Sequence, residues 1–191
     1  MKKILIVILG LIFFSSCNNS GNEKERAFRE FMNKFEPLET PITINVHSDL
    51  NCDCKALDQN STDSLFIQFR NSNTRSFGFI PDTTDFYAFI YFYIGDSRYF
   101  WVKTFDKSYN KIADTSILNE NGYMPATRCL DGSSNILFDK DFRFMTIDSL
   151  NYLYCDSLGE EIGVTDSVVY KNVLVRTIKI EKNGRIIINE N

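Results

Sequence analysis

Phe86-Tyr87-Ala88-Phe89-Ile90-Tyr91-Phe92-Tyr93-Ile94, then Gly95-Asp96-Ser97, then Arg98 to Asp106, is the stretch that decides the fold. Aromatic and β-branched residues on both sides of a Gly-Asp-Ser turn predict a hairpin. With that loop, Tyr93 faces Tyr99, Tyr91 faces Trp101, Phe89 faces Lys103 and Tyr87 faces Phe105. On the opposite face Phe92 meets Phe100 and Ile90 meets Val102. One face is thus wholly apolar, and the other is aromatic with hydroxyl, indole and ammonium tips. Rings carrying polar tips can stack against a sugar or a peptide, which makes Tyr87, Tyr91, Tyr93, Tyr99 and Trp101 a candidate binding face. The commoner fate of such a pair is burial on both sides, under a helix or a second sheet. A two-residue turn would shift the register and remove the pattern.

Outward from the hairpin, the same period of two recurs. Ile42, Ile44 and Val46 alternate with Thr43 and Asn45, and Leu65–Arg70 and Arg75–Ile80 read as strands. Further strands are predicted near Ile112–Leu118, Phe142–Asp148, Tyr152–Cys155 and Val168–Glu181. Asn183-Gly184 then marks a second hairpin, with Arg185–Asn189 returning. One helix precedes all of this, roughly Lys24 to Phe35. Its Phe28, Phe31 and Phe35 recur at spacings of three and four, and Pro37 and Pro41 end it. Short turns between successive strands imply an antiparallel meander. The expected fold is one mainly β domain over 26–191, a curved sheet, open barrel or sandwich behind a single amphipathic helix.

The chain begins differently. Lys2 and Lys3 precede an apolar run from Ile4 to Phe14, and Phe14-Ser15-Ser16-Cys17 closes it. About 11 apolar residues fall far short of the ~20 that span a bilayer as a helix. This segment resembles the signal peptide and lipobox of bacterial lipoproteins, with Phe14 in place of the usual aliphatic residue. The resemblance, shared with small uncharacterised envelope lipoproteins of Bacteroidota, implies cleavage after residue 16. It also implies acylation (palmitate or a similar chain) at Cys17 and a membrane held through lipid. Asn18 stands where an inner-membrane retention signal would place Asp. No acidic cluster follows, so the expected address is the outer membrane, on the periplasmic leaflet rather than the cell surface. Residues 17–25, polar and charged, read as a flexible tether.

The segment Tyr99 to Ile112, with Phe105-Asp106-Lys107-Ser108-Tyr109-Asn110-Lys111-Ile112 at its heart, resembles the repeating unit of β-propeller blades. A propeller repeats its unit every ~40 residues, and one clear copy is present here, so a sheet, barrel or sandwich is favoured. Asp followed by Ser or Thr and then an aliphatic residue or Thr recurs at Ser64, Thr83, Ser149, Ser157 and Ser167. That pattern is similar to the O-glycosylation acceptor of Bacteroidota envelope proteins. It is equally what turns and strand starts produce.

Composition narrows function by exclusion. The chain has 21 basic and 25 acidic residues. Removal of 1–16 takes Lys2 and Lys3 and leaves 19 against 25, a net −6. Such a balance argues against binding nucleic acid or anionic lipid heads by charge alone. Beyond Cys17 four cysteines remain, Cys52, Cys54, Cys129 and Cys155, an even number that in an exported chain favours disulfides. Cys52 and Cys54 flank Asp53 and would strain a mutual bridge, so each is expected to pair with Cys129 or Cys155. The spacing is poor for zinc.

Catalytic signatures do not assemble. His47 is the single histidine and lies beside Ser48 and Asp49, which read as a turn. No phosphate-cradling glycine loop is present. Asp58-x-Asn60-x-Thr62 begins like a calcium loop, but Asp63 and Phe69 occupy positions that need Gly and Glu. The pairs Asp82/Asp85 and Glu160/Glu161 read as solvated loop charges. No cofactor or metal is expected. The leading expectation is a lipid-anchored envelope protein whose β domain binds or scaffolds a glycan, a peptide or another envelope protein without catalysis. The alternatives are an envelope hydrolase acting on glycans or peptides, and a propeller-like interaction module.

Overall fold

The structure is a computed structural model that describes residues 19–46, 53–58, 61–67, 73–81, 83–94, 98–118, 130–153 and 168–190. Helix α1 spans Asn19–Met32 and is followed by β1 (Ile42–Asn45), a short 3-10 helix (Thr62–Leu65) and β2 (Thr74–Ile80). Next come β3 (Phe86–Ile94), β4 (Arg98–Asp106), β5 (Lys111–Ser116), β6 (Leu130–Phe138), β7 (Arg143–Leu153), β8 (Val168–Ile180) and β9 (Ile186–Glu190). The strands form two antiparallel sheets, one of order β2-β3-β4-β5 and one of order β1-β6-β7-β8-β9. Each is a meander apart from β1, which pairs with β6. The fold is mainly β, as expected from the alternation, and its two sheets do not close into a barrel.

The sheets pack through a shared core. Ala88, Ile90 and Phe92 of β3 and Phe100 and Val102 of β4 meet Ile44, Ile136, Phe138, Phe144, Ile178 and Ile180 from the other sheet. These are the residues of the wholly apolar face. The second face of β3 and β4 is covered by α1: Phe28, Phe31 and Phe35 pack with Phe66, Phe89, Tyr91 and Phe105. The result has three layers, helix, four strands and five strands, so β3 and β4 are buried on both sides. The Tyr99–Ile112 unit that resembles a propeller blade is the β4–β5 hairpin of the four-stranded sheet.

Three expectations need correction, and one strand lies where none was expected. Residues 19–25, read as tether, are the first turns of α1; Glu and Lys are good helix formers, and a docked helix propagates outward from its packed part. Leu65 to Arg70, read as a strand, begins instead as the end of the 3-10 helix. Ser61 caps that helix by accepting from the Asp63 amide, and Phe66 and Ile67 then turn into the helix-side core. The two strands expected at Phe142–Asp148 and Tyr152–Cys155 are one, β7. β6 was not foreseen, and its polar centre (Gly132-Ser133-Ser134-Asn135) explains why.

Those inward polar groups have a purpose. Thr146 Oγ1 donates to the Ile117 carbonyl at 2.7 Å, and Arg176 Nη1 donates to the carbonyls of Ser116 (3.1 Å) and Leu118. Ser134 Oγ donates to Asp148 Oδ1. Thr146 and Arg176 thereby satisfy the carbonyls where the chain leaves β5 for the second sheet, which a dry core would leave unpaired. The exposed edge of β2 is likewise covered. The Leu38 amide bonds the Phe79 carbonyl and the Leu57 amide bonds the Thr74 carbonyl, both at 2.9 Å. Cys54, beside the second of these contacts, is disulfide-bonded. Cys52, Cys129 and Cys155 lie outside the described residues, and so does the connectivity expected among them.

Candidate functional site: the aromatic face of the four-stranded sheet

The β3–β4 register is the one the three-residue loop requires: Tyr93 opposite Tyr99, Tyr91 opposite Trp101, Phe89 opposite Lys103 and Tyr87 opposite Phe105. What the alternation could not say is how far α1 extends over this face. Phe28 sits at its centre, with ring centroids 5.0 Å from Tyr87, 5.7 Å from Phe89, 5.5 Å from Phe105 and 4.7 Å from Tyr109. Tyr87 is therefore helix-packed and carries the Lys107 ammonium 3.9 Å from its ring centroid. Tyr91 is 1% exposed. Tyr91 is closed to a ligand, and Tyr87, though half-buried, is overlaid by Phe28 and Lys107, which leaves Tyr93, Tyr99 and Trp101 as the candidate contacts. These three are half-buried. Tyr93 and Tyr99 stack at 4.4 Å with an interplanar angle of 8°. Burial, and then the neighbouring Tyr99, hold the Tyr93 phenol above its usual range. The Tyr93 phenol therefore keeps its proton and stays a hydrogen-bond donor at physiological pH.

Between the helix-packed and open portions lies Lys103, 2% exposed. Its Nζ donates to the Phe66 carbonyl at 3.0 Å, stands 3.7 Å from Asp114 Oδ2 and lies 5.9 Å from the Tyr91 ring centroid. Burial lowers its pKa to about 8, with the Asp114 charge opposing that fall and Lys111 adding to it. Burial pushes the Tyr91 phenol up strongly. Asp114 was not foreseen as a partner; the cross-strand pairing Lys103↔Asp114 needs the β4–β5 register, and the turn at 107–110 supplies it. Asp106 organises that turn by accepting from the amides of Ser108 and Asn110, both at 2.8 Å.

The lysine gives a pH test. Its folded pKa of about 8 lies below the ordinary 10.5, so between those values the unfolded chain holds more protons and stability rises with pH. Relative to Lys103→Met, the wild type is expected to gain about 2 kcal/mol between pH 8 and 10 in urea unfolding. Beyond pH ~10 the raised Tyr91 lowers the stability of both proteins, because the unfolded chain then loses its phenolic proton first, and it cancels in the difference. A difference between the two proteins that stays flat from pH 7 to 10 would contradict the burial of this ammonium.

The remaining sequence candidates fall as follows. Ser64 is exposed and its Oγ donates to the Ser61 carbonyl at 2.8 Å; Thr83 Oγ1 donates to the Phe86 carbonyl; Ser149 is half-buried in β7, between Ser133 and Val173. The aspartates that precede two of them have structural work: Asp63 pairs with Lys34 and Asp148 with Ser134. Ser157, Ser167, His47, Cys17, Asp82 and the Glu160/Glu161 pair lie outside the described residues. Among the described residues no cluster of three or more His, Cys, Asp or Glu is placed to hold a metal ion. No helix among them is long and apolar enough to cross a membrane. No protein-family model, curated protein or solved structure matches the chain.

Proposed function

We propose that this chain is a lipid-anchored envelope protein, acylated at Cys17 and carried by the outer membrane on its periplasmic leaflet. Its β domain presents a binding surface to a glycan, a peptide or another envelope protein. The observation that carries the reading is the sequence Lys2 to Cys17, where a cationic start, an apolar run too short to span a bilayer and a Ser-Ser-Cys terminus follow in order. The position of the aromatic patch supports it. Tyr93, Tyr99 and Trp101 lie toward the β3–β4 loop, whereas α1 starts beside the β4–β5 turn at the opposite end of the strands, with Lys24 bonded to Asn110 at 2.7 Å. A nine-residue strand separates the two ends by about 30 Å. The patch thus points away from the anchored end. Two or three acyl chains on one cysteine hold a protein without appreciable release.

Cys17→Ala tests this directly. In cells fed a radiolabelled fatty acid, the wild type is expected to carry the label, and the variant is expected to lose it entirely and to appear as unprocessed or soluble protein. Undiminished labelling of the variant overturns the proposal.

A further inference from the structure

At the end of the sandwich where β6 turns into β7 and β8 into β9, the two turns enclose a groove of about 690 Å³. Lys140, Arg143, Lys179 and Lys182 line it, over a floor that includes Phe142 and Ile180. Arg143 is engaged by Asp139 at 2.7 Å. Lys140, Lys179 and Lys182 are exposed and form no ion pair among the described residues. Counting Arg185, these turns hold five cations against Asp139, Asp141 and Glu181, a net +2. The rest of the chain beyond Cys17 is left with −8. A protein that repels polyanions as a whole therefore has one end of opposite sign.

That end also adjoins the first turns of α1. The Phe142 ring lies 6.0 Å from Phe86 at the start of β3, and Gly184 abuts both Phe86 and Ile112, so the two basic turns adjoin the β4–β5 turn. Lys24 of α1 bonds Asn110 in that same turn. From Lys24 back to Asn19 the helix rises ~7.5 Å, and two further residues add at most ~7 Å. The reach of the chain from Lys24 to Cys17 is thus at most about 15 Å. Lys107, nearby, is committed to the Thr83 and Phe86 carbonyls at 2.9 Å and faces Asp85, so the cations free to act are those of the groove.

We propose that this basic end rests on the anionic headgroups of the bilayer that holds the lipid on Cys17, with the groove taking their phosphate groups. The inference depends on the anchoring reading above. Charge attraction to a surface fades beyond a Debye length of ~8–10 Å, so the groove acts when this end of the sandwich lies directly on the headgroups. The domain then stands with Tyr93, Tyr99 and Trp101 away from the membrane.

The test uses the acylated protein purified from the envelope and placed in phosphatidylcholine vesicles with or without roughly 30% phosphatidylglycerol. Lysine acetylation is followed by mass spectrometry after an intact mass has been recorded. Labelling of Lys140, Lys179 and Lys182 is expected to slow about threefold or more in the anionic vesicles and to recover in about 0.5 M NaCl. Lys55, bonded to the Asn33 carbonyl near the far end of α1, should label equally in both. Acylated protein whose three groove lysines label alike in both vesicles overturns this inference alone. An intact mass without acyl chains overturns the anchoring reading and this inference together.

Discussion

Phe28→Ala is expected to destabilise the domain by about 3–5 kcal/mol, the range for truncating a buried phenylalanine in a packed core. The expectation follows from where the ring sits. It is 1% exposed and contacts six other aromatic rings, two more of them being Phe31 at 6.1 Å and Phe66 at 5.2 Å. Three structural units meet on it: the helix, the segment after the 3-10 helix, and strands β3 and β4. Removing the ring leaves a cavity that no single neighbour can fill, because each of them is itself held by the next. Urea unfolding followed by tryptophan fluorescence reports the loss through Trp101, which partly packs against the same cluster. A loss below 1 kcal/mol would mean that α1 is only loosely laid on the sheet. The second face of β3 and β4 would then be open along its length, and Tyr87 would return as a candidate contact.

The second large effect is at Gly184, where Gly184→Ala is expected to cost about 2–4 kcal/mol. The backbone there has φ +82°, a conformation that penalises any side chain. A Cβ would also stand 2.5 Å from Ile112 Cδ1 and 3.0 Å from Phe86 Cβ. The isoleucine tip can swing aside, but Phe86 Cβ is tied to β3 and cannot. The Gly184 carbonyl accepts from Thr104 Oγ1 at 2.7 Å, so a displaced turn loses the bond that clips the β8–β9 hairpin of one sheet to β4 of the other. Gly184→Asn, which tolerates the backbone angle but retains the clash, should be little better than alanine. If asparagine restores wild-type stability, strain rather than the sheet-to-sheet contact is the controlling cost.

These two positions also show what the amino-acid order could convey. The phenylalanine spacing in α1 and the alternation in β3 and β4 are strong because both report packing that neighbours in sequence share. The hairpin register, and with it the pairing of Tyr93 with Tyr99 and Tyr91 with Trp101, was legible for that reason. Asn183-Gly184 likewise marked its turn through a local backbone demand. β6 was illegible because its inward Ser134 is polar and serves Asp148 across the sheet. Thr146 and Arg176 were hidden in the same way: their partners are carbonyls of residues 116–118, some 30 and 60 positions away. At that end the inner face carries hydrogen bonds and the outer face carries Ile147 and Val175, which inverts the usual pattern. The candidate site was half legible. Which rings share a face followed from the period of two, whereas which of them α1 covers depends on where the helix lies across the strands. The groove of Lys140, Lys179 and Lys182 had no sequence signal, since its two turns are about 40 residues apart and meet only through the order of β7 and β8.

The central claim is a β domain held by lipid at Cys17, and the intact mass of the protein extracted from the native envelope tests it most directly. The account predicts a chain that begins at Cys17 and is heavier than its residues by two or three fatty-acyl chains and their glyceryl link. A chain of unmodified mass, whether still carrying Met1–Ser16 or cut at another position, would contradict it.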